Sequence, residues 1–577
     1  MDILGISFGI DTSACLVRDG VTLAAVLEER FSRIKHDRAW PARAIAHCLA
    51  VGGTTLQDVD AVAFFWNPAL HLDFPHPGRS RTYRHHGDYL HMVPAWLLGA
   101  FRPPSGGLPS PHTTMQVEIE GRARPVTIHY VTHHRAHAAC AFFPSPFEEA
   151  AVLTIDGFGE RVSTTLGAWR PADGGWAYTE YDTVRVPQSL GSFYAAMTAW
   201  LGFRPNNGEG KVMGLAPYGT DRLVSRFREV LRVPGEDAPF ELDLRWFAHF
   251  LDTPGRVSDR FLREFGPGRA PGDPITQEHK DVARAVQQVT EEAILALARE
   301  LATKSGLPDV VLSGGVAMNS VANGRLEREG PFDRVWVHPA AGDGGTAVGA
   351  ALWSWHVIAG GTERHRWTTD RLGPAFDAAA CRAALRAGGW AWTEPEDLFV
   401  DTAQALADGE LVGWFQGGAE LGARALGGRS ILADPRRAEN KDVLNARVKF
   451  REGFRPFAPS VTAEAARDFF DLPGGSTVPW MQKVHAVRPE RVADLAGITH
   501  VDGTARLQTV HAEGAPKYHA LIAAFGQITG VPVLLNTSFN VRGEPMVLTP
   551  ADAIRCWATT GLDRLVLGPC VLRKPRR

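Results

Sequence analysis

Thiols are scarce in this chain. Six cysteines, at positions 15, 48, 140, 381, 556 and 570, are scattered through 577 residues, and no two form a C-x-x-C pair. That pattern argues against a disulfide framework or a thiolate zinc site and suits a reducing cytosol. Positive charge is not in excess either. Lys plus Arg number 61 against 64 Asp plus Glu, and 61 − 64 leaves a formal net charge of −3. The broad basic field that grips nucleic acid is missing, so no nucleic-acid partner is expected. No run of 18 apolar residues appears, so no membrane span is expected. The first residues lack a basic segment followed by an apolar stretch, and the expectation is a cytoplasmic protein without a signal peptide. What is present is ordinary for a globular chain, 45% hydrophobic and 22% charged. The length exceeds what one core serves, so two to four domains are expected.

Strand and turn signals repeat. Ile3 to Phe8 reads as a strand, Gly9 to Ser13 as a turn, and Ala14 to Val17 as the return strand. Arg18-Asp19-Gly20 is a hairpin turn leading to a third strand, Val21 to Val26. The same order recurs from Ala151 to Tyr181, with Asp156-Gly157-Phe158-Gly159-Glu160 as its first turn. Two such units predict internal duplication, as in two-lobed nucleotide-binding folds of the actin and sugar-kinase type. Between them, Trp66 to His112 is an insertion carrying Arg79, Arg81 and Arg84. It reads equally as an acceptor-binding loop and as a variable surface excursion.

Thr132-His133-His134-Arg135-Ala136-His137 follows the strand Val126 to Val131 and opens a helix. His133 and His137 are four apart and share one helical face, close enough to hold one metal ion. A cluster of surface histidines fits these residues as well. A zinc protease does not, because His134 stands where H-E-x-x-H needs its Glu. Asp156 and Asp343 are both strand-end carboxylates, and they would complete an N₂O₂ set with the two histidines. Gly210-Lys211-Val212-Met213-Gly214 and Ser313-Gly314-Gly315-Val316-Ala317-Met318-Asn319 are glycine motifs suited to phosphate or nucleotide, although neither is a Walker loop. Lys280 to Thr303 is a helix whose Val282, Val286, Val289, Ala293, Leu297 and Leu301 face the core. Gly360 to Pro374 reads as a linker. Beyond it, basic residues lie among Gly and Pro around Arg424 and Arg455, where guanidinium forks suit carboxylate or phosphate oxygens.

Taken together, these motifs resemble the bacterial carbamoyltransferase family of the TobZ, NodU and CmcH type. The C-terminal matches are Arg424-Ala425-Leu426-Gly427-x-Arg429-Ser430, Arg455-Pro456-Phe457-Ala458-Pro459 and Leu535-Asn536-Thr537-Ser538-Phe539-Asn540. The resemblance covers nearly the whole chain in one order. It implies an α/β protein: a duplicated, two-lobed TsaD-like domain over 1–365, then a YrdC-like twisted α/β domain over 366–577. The activity implied is two-step. The second domain forms carbamoyl adenylate from carbamoyl phosphate and ATP, and the first passes the carbamoyl group to a hydroxyl of a small natural product. Iron(II) is the implied metal, held by His133, His137, Asp156 and Asp343. Nucleotide binding falls by motif on Lys211, Gly214, Gly314, Gly315 and Asn319. Carbamoyl phosphate and the adenylate fall to Arg424, Lys449, Arg455, Arg506, Asn536 and Ser538. The resemblance leaves room for a homodimer.

Two positions depart from the family. Ile10-Asp11 stands where relatives carry His-Asp, and Gly417-Gly418-Ala419-Glu420 stands where they carry Gly-Arg-x-Glu. Asp11 is then the candidate base for the acceptor hydroxyl, with an ordering role in the turn as its alternative. The three arginines of the insertion point to a neutral or acidic acceptor. N-carbamoylation, and a nucleotide-binding protein with one half-reaction lost, are the competing readings.

Overall fold

Asp19 and Gly20 both take positive φ, 48° and 82°, as a two-residue hairpin turn requires. They join β2 (Ser13–Arg18) to β3 (Val21–Leu27), after β2 has paired antiparallel with β1 (Asp2–Ser7). β4 (Ala61–Phe64), β5 (His112–Val117) and β6 (Val126–Val131) complete a sheet of order β3-β2-β1-β4-β6-β5, in which β1, β4 and β6 run parallel. β7 (Ala150–Ile155), β8 (Val162–Ala172) and β9 (Gly175–Arg185) repeat the antiparallel meander. A small hairpin, β10 (Leu231–Arg232) and β11 (Glu241–Leu242), precedes β12 (Asp309–Ser313) and β13 (Arg334–Val337). The second large sheet has the order β13-β12-β7-β8-β9, again with parallel strands added beside the first of the meander. The duplication expected from the sequence is thus present in both sheets, with β5 an added antiparallel edge strand in the first. β7 is buried along its whole length, whereas the edge strand β9 is mostly open to solvent.

The computed structural model describes residues 1–9, 11–67, 112–118, 125–235, 240–248 and 256–574. Ile10 and most of the Trp66 to His112 insertion, with its three arginines, lie outside the described residues. Two compact units divide the chain. The first comprises Met1–Leu23, Ala39–Pro41 and Cys48–Arg366, and the second Ala24–Arg38, Ala42–His47 and Trp367–Arg577.

In the first unit the helix Gln277–Ser305 buries Val282, Val286, Val289, Ala293, Leu297 and Leu301, the stripe its period predicts. The helices His133–Phe142 and Thr346–Trp353 touch backbone to backbone. A Cβ on Gly349 would lie 1.8 Å from the Ala136 carbonyl oxygen, and one on Gly5 would lie 2.0 Å from that of Ala347. Glycine at these two points lets β1 and both helices meet behind the site described below.

The second unit is built on β14 (Val412–Phe415), β15 (Arg429–Ala433), β16 (Ala458–Thr462), β17 (Lys483–Ala486), β18 (Thr504–Val510), β19 (Val533–Ser538), β20 (Arg564–Leu567) and β21 (Cys570–Arg573). They form one sheet of order β17-β18-β16-β19-β15-β14-β20-β21. Side chains alternate between two cores. Trp414 and Val566 join Phe525 on one face, while Phe415, Leu565 and Leu567 join Trp557 on the other. The fold class is therefore α/β throughout, a duplicated two-lobed part and a C-terminal α/β body. No helix among the described residues is long and apolar enough to cross a membrane.

Candidate metal centre and anion site

β6 ends at Val131, and the helix His133–Phe142 begins two residues later. Thr132 has the extended backbone of an N-cap, but its side chain makes no capping bond. Glu160 does that work. Its Oε1 and Oε2 lie 3.0 and 3.2 Å from the His133 amide, and Oε1 also accepts from the Asn67 amide at 2.7 Å. A carboxylate there satisfies an orphan N–H and suits the positive end of the helix. Burial raises the Glu160 pKa, against the pull of His133 and these amides.

The helix turns both imidazoles to one side, with their Nε2 atoms 3.1 Å apart. Asp156 follows β7 and brings Oδ2 to 3.3 Å from His133 Nε2 and 3.0 Å from His137 Nε2. Asp343 opens the turn after β13, and its Oδ1 is 3.7 Å from each. All four ligand atoms lie within 4.8 Å of one another. Ligand atoms around a tetrahedral ion with bonds of about 2.05 Å are spaced by about 3.3 Å, and cis ligands of an octahedral ion by about 3.0 Å. The donor set fits a divalent ion in size and chemistry, and two imidazoles with two carboxylates suit iron, zinc or manganese alike.

The surroundings hold this arrangement. Ser7 Oγ, at 3.2 Å, and Thr346 Oγ1, at 2.6 Å, donate to the Asp343 carbonyl. Phe65 and Trp66 wall His133, with ring centroids 5.6 and 5.4 Å away. Burial opposes a charge on His137, but its hydrogen bonds to Asp156 and Asp343 prevail and lift its pKa to about 9. Asp156 is held well below the usual carboxylate range; burial opposes this, and the two histidines outweigh it. Burial and then the charge of Asp156 raise Asp343. The third histidine turns away. His134 Nε2 donates to the Val162 carbonyl at 2.8 Å and Nδ1 accepts from Thr154 Oγ1 at 2.7 Å, so it is a neutral structural residue, its pKa driven by burial to about 3.

The glycine motifs divide. Gly314 has φ 99°, and a Cβ there would lie 2.2 Å from the Ile155 carbonyl oxygen. A Cβ on Gly315 would lie 3.1 Å from Asp156 Oδ1, so this turn abuts the metal set. Asn319 caps the helix Ser320–Glu329 through the Ala322 amide and pairs with Gln287 by two bonds of 3.0 and 3.1 Å. Lys211 and Gly214 lie in a helix, Glu209–Leu215, and Lys211 Nζ stands 5.1 Å from the Phe203 ring centre. Glu209 Oε1 accepts from the Asn206 amide at 2.8 Å, which anchors the first turn despite two glycines within the helix. Asp11 sits, partly buried, in the turn between β1 and β2.

In the second unit, Lys449 ends a wide π-type turn and is buried. Its Nζ donates to the Ser538 carbonyl and, at 2.8 and 3.0 Å, to Asn540 Oδ1 and O. Burial and then Arg451 depress its pKa. Arg424 and Arg506 have no anionic partner among the described residues. Burial, then Arg455, lowers Arg424 to about 10, and burial, then Arg424, Arg451 and Arg455, lowers Arg506. Arg451 belongs to this group and was not singled out by the sequence reading. Glu452, 3.9 Å from Arg455, is the acid nearest it in this cluster. Asn536 is buried and donates to Ala425 O and Ser460 Oγ at 3.0 Å, so it steadies the loop that carries Arg424. Glu420 steadies it from the other side, its Oε1 accepting from Leu426, Gly428 and Arg429 amides at 2.7, 2.8 and 3.2 Å. Gly418, where the family has Arg, is pressed against backbone. A Cβ there would lie 2.5 Å from the Arg371 carbonyl oxygen.

Comparison with known proteins gives the family. Residues 2–352 match the family described as carbamoyltransferase N-terminus, and residues 403–574 match carbamoyltransferase C-terminus. An uncharacterised protein of Synechocystis is 40% identical over 99% of this chain and 96% of its own length. The nodulation protein NolNO of Sinorhizobium fredii is 39% identical over 98% of this chain and 79% of its own. A 3'-hydroxymethylcephem-O-carbamoyltransferase of Amycolatopsis lactamdurans is 29% identical, covering 76% of this chain and 79% of its own.

Proposed function

The chain belongs to the carbamoyltransferase family, and from that premise we propose that it is an ATP-dependent O-carbamoyltransferase acting on a small natural product. In this reading residues 366–577 hydrolyse carbamoyl phosphate to carbamate and phosphate and join the carbamate to ATP as carbamoyl adenylate with loss of pyrophosphate, and residues 1–365 transfer the carbamoyl group to a hydroxyl with release of AMP. The observation that carries it is the cationic group in the second unit. Arg424 and Arg506 are partly buried beside other arginines with no anionic partner among the described residues, an arrangement that an anion would settle. Carbamoyl phosphate and ATP supply phosphate oxygens that guanidinium forks match. Lys449 lies beside this group, its Nζ held by Ser538 and Asn540. The relative named as an O-carbamoyltransferase supports a hydroxyl acceptor.

In the first unit, His133, His137, Asp156 and Asp343 would hold a divalent ion, iron(II) by the family resemblance, which supplies Lewis-acid stabilisation of the leaving adenylate. The Gly314–Gly315 turn stands beside Asp156, a Cβ on Gly315 falling 3.1 Å from its Oδ1, and is the proposed backbone contact for the nucleotide. Asp11 is the proposed base for the acceptor hydroxyl.

Mixing the protein with ATP and carbamoyl phosphate alone should release pyrophosphate. Adding hydroxylated acceptors should give a carbamoylated product by mass spectrometry, and fragmentation places the group on oxygen or nitrogen. Pyrophosphate-free mixtures would overturn the activation step, and an N-linked product would overturn the choice of acceptor atom.

A further inference from the structure

His137 and His133 look alike in sequence, yet their far nitrogens are treated differently. His137 Nδ1 lies 2.8 Å from Ser313 Oγ, at the end of β12. Ser313 Oγ in turn lies 3.0 Å from the carbonyl oxygen of Ala341, which can only accept. A serine hydroxyl has one proton. Given to Ala341, it leaves only lone pairs facing the ring, so His137 Nδ1 must carry a hydrogen. The nitrogen left to meet a metal is then Nε2, the atom that faces Asp156 and Asp343. His133 Nδ1, by contrast, is buried with no partner among the described residues.

We infer that Ser313 is a positioning residue for the metal. Its hydroxyl keeps a hydrogen on His137 Nδ1, so that Nε2 is the nitrogen that gives up its proton to the ion, whereas His133 enters without such a constraint. Three further facts make Ser313 suited to this. It is fully buried, so water cannot replace its hydroxyl. The Ala341 carbonyl is itself pinned by the Gly314 amide at 2.7 Å. Ala341 stands two residues before Asp343, so one hydroxyl ties the helix that bears two ligands to the loop that bears another. Partners of this kind that orient a ligating imidazole commonly change metal affinity by about 10–100-fold when removed.

The inference rests on the proposed metal site, and the test separates the two. Cobalt(II) binding to the full chain is measured by competition with a chelator for wild type, Ser313→Ala, Ser313→Thr and His137→Ala. Wild type should bind, His137→Ala should not, Ser313→Ala should bind about 10–100-fold more weakly, and Ser313→Thr should stay within about threefold of wild type. The hyperfine-shifted Nδ1–H proton of His137 should exchange slowly with water in wild type and Ser313→Thr, and fast in Ser313→Ala. Wild type that binds cobalt while Ser313→Ala binds equally well would overturn the role of Ser313 alone. Equal weakening in Ser313→Ala and Ser313→Thr would do the same, since packing and not the hydroxyl would then be responsible. Wild type that binds no cobalt would sink the metal site and this inference with it.

Discussion

The two candidate sites differ in how their charges are settled. In the first unit, two imidazoles and two carboxylates face each other at 3.0–3.7 Å and neutralise one another without any ligand. In the second, burial and then neighbouring arginines lower Arg424, Arg451 and Arg506, with Glu452 as the acid at hand. One site is satisfied when empty, and the other needs an anion. Substitutions in the two should therefore move activity in the same direction and ligand-free stability in opposite directions.

The largest effect is expected for His137→Ala, which removes a ligand outright. Metal affinity should fall by more than about a hundredfold, more than the loss of an outer partner gives, measured by metal content after dialysis. Ligand-free stability should also fall, by about 1–3 kcal/mol, because Asp156 and Asp343 lose their shared partner. Arg506→Ala should lower pyrophosphate release by about 100–1,000-fold. Its ligand-free melting temperature should hold or rise, since a desolvated charge among like charges is gone. A falling melting temperature would show that the cationic group is not strained, and the contrast between the sites would fail.

Gly349→Ala tests the frame beneath the first site. Its Cβ would lie 1.8 Å from the Ala136 carbonyl oxygen, so the two helices must separate. A loss of about 2–4 kcal/mol in chemical denaturation is expected, with metal affinity falling alongside. A further test concerns pH in the second unit. Burial, then the charge of Glu420, pushes Asp370 up to about 8. The folded protein then holds a proton that the unfolded chain releases near pH 4, so stability falls as pH rises from about 4 to 8. Asp370→Asn should flatten that fall, and an unchanged slope would remove Asp370 as its source.

How much of this was legible in the sequence depended on distance along the chain. The strand meanders showed because apolar runs and Asp-Gly turns are local signals. His133 and His137 showed because four residues make one helical turn, and Asp156 because it follows a strand directly, whereas Asp343 stands six residues beyond the end of β13. The residues that hold the site did not show. Glu160 caps a helix that begins 27 residues earlier, and Ser313 reaches His137 across 176 residues. Nothing at either position marks its partner. That Lys211 and Gly214 lie in a helix did not show, because two glycines weaken a helix, while Glu209 supplies the anchor at its start. At Gly418 the sequence showed that a family arginine is absent, but only the Arg371 carbonyl 2.5 Å from its Cβ direction shows that a side chain would not fit.

The central claim is that the two sites serve separate steps. It is tested most directly by following pyrophosphate release and carbamoyl transfer in parallel for His137→Ala and Arg424→Ala, each with ATP, carbamoyl phosphate and an accepted hydroxyl compound. His137→Ala should release pyrophosphate at close to the wild-type rate and carbamoylate nothing, and Arg424→Ala should lose both. Pyrophosphate release that falls as far in His137→Ala as transfer does would contradict the division.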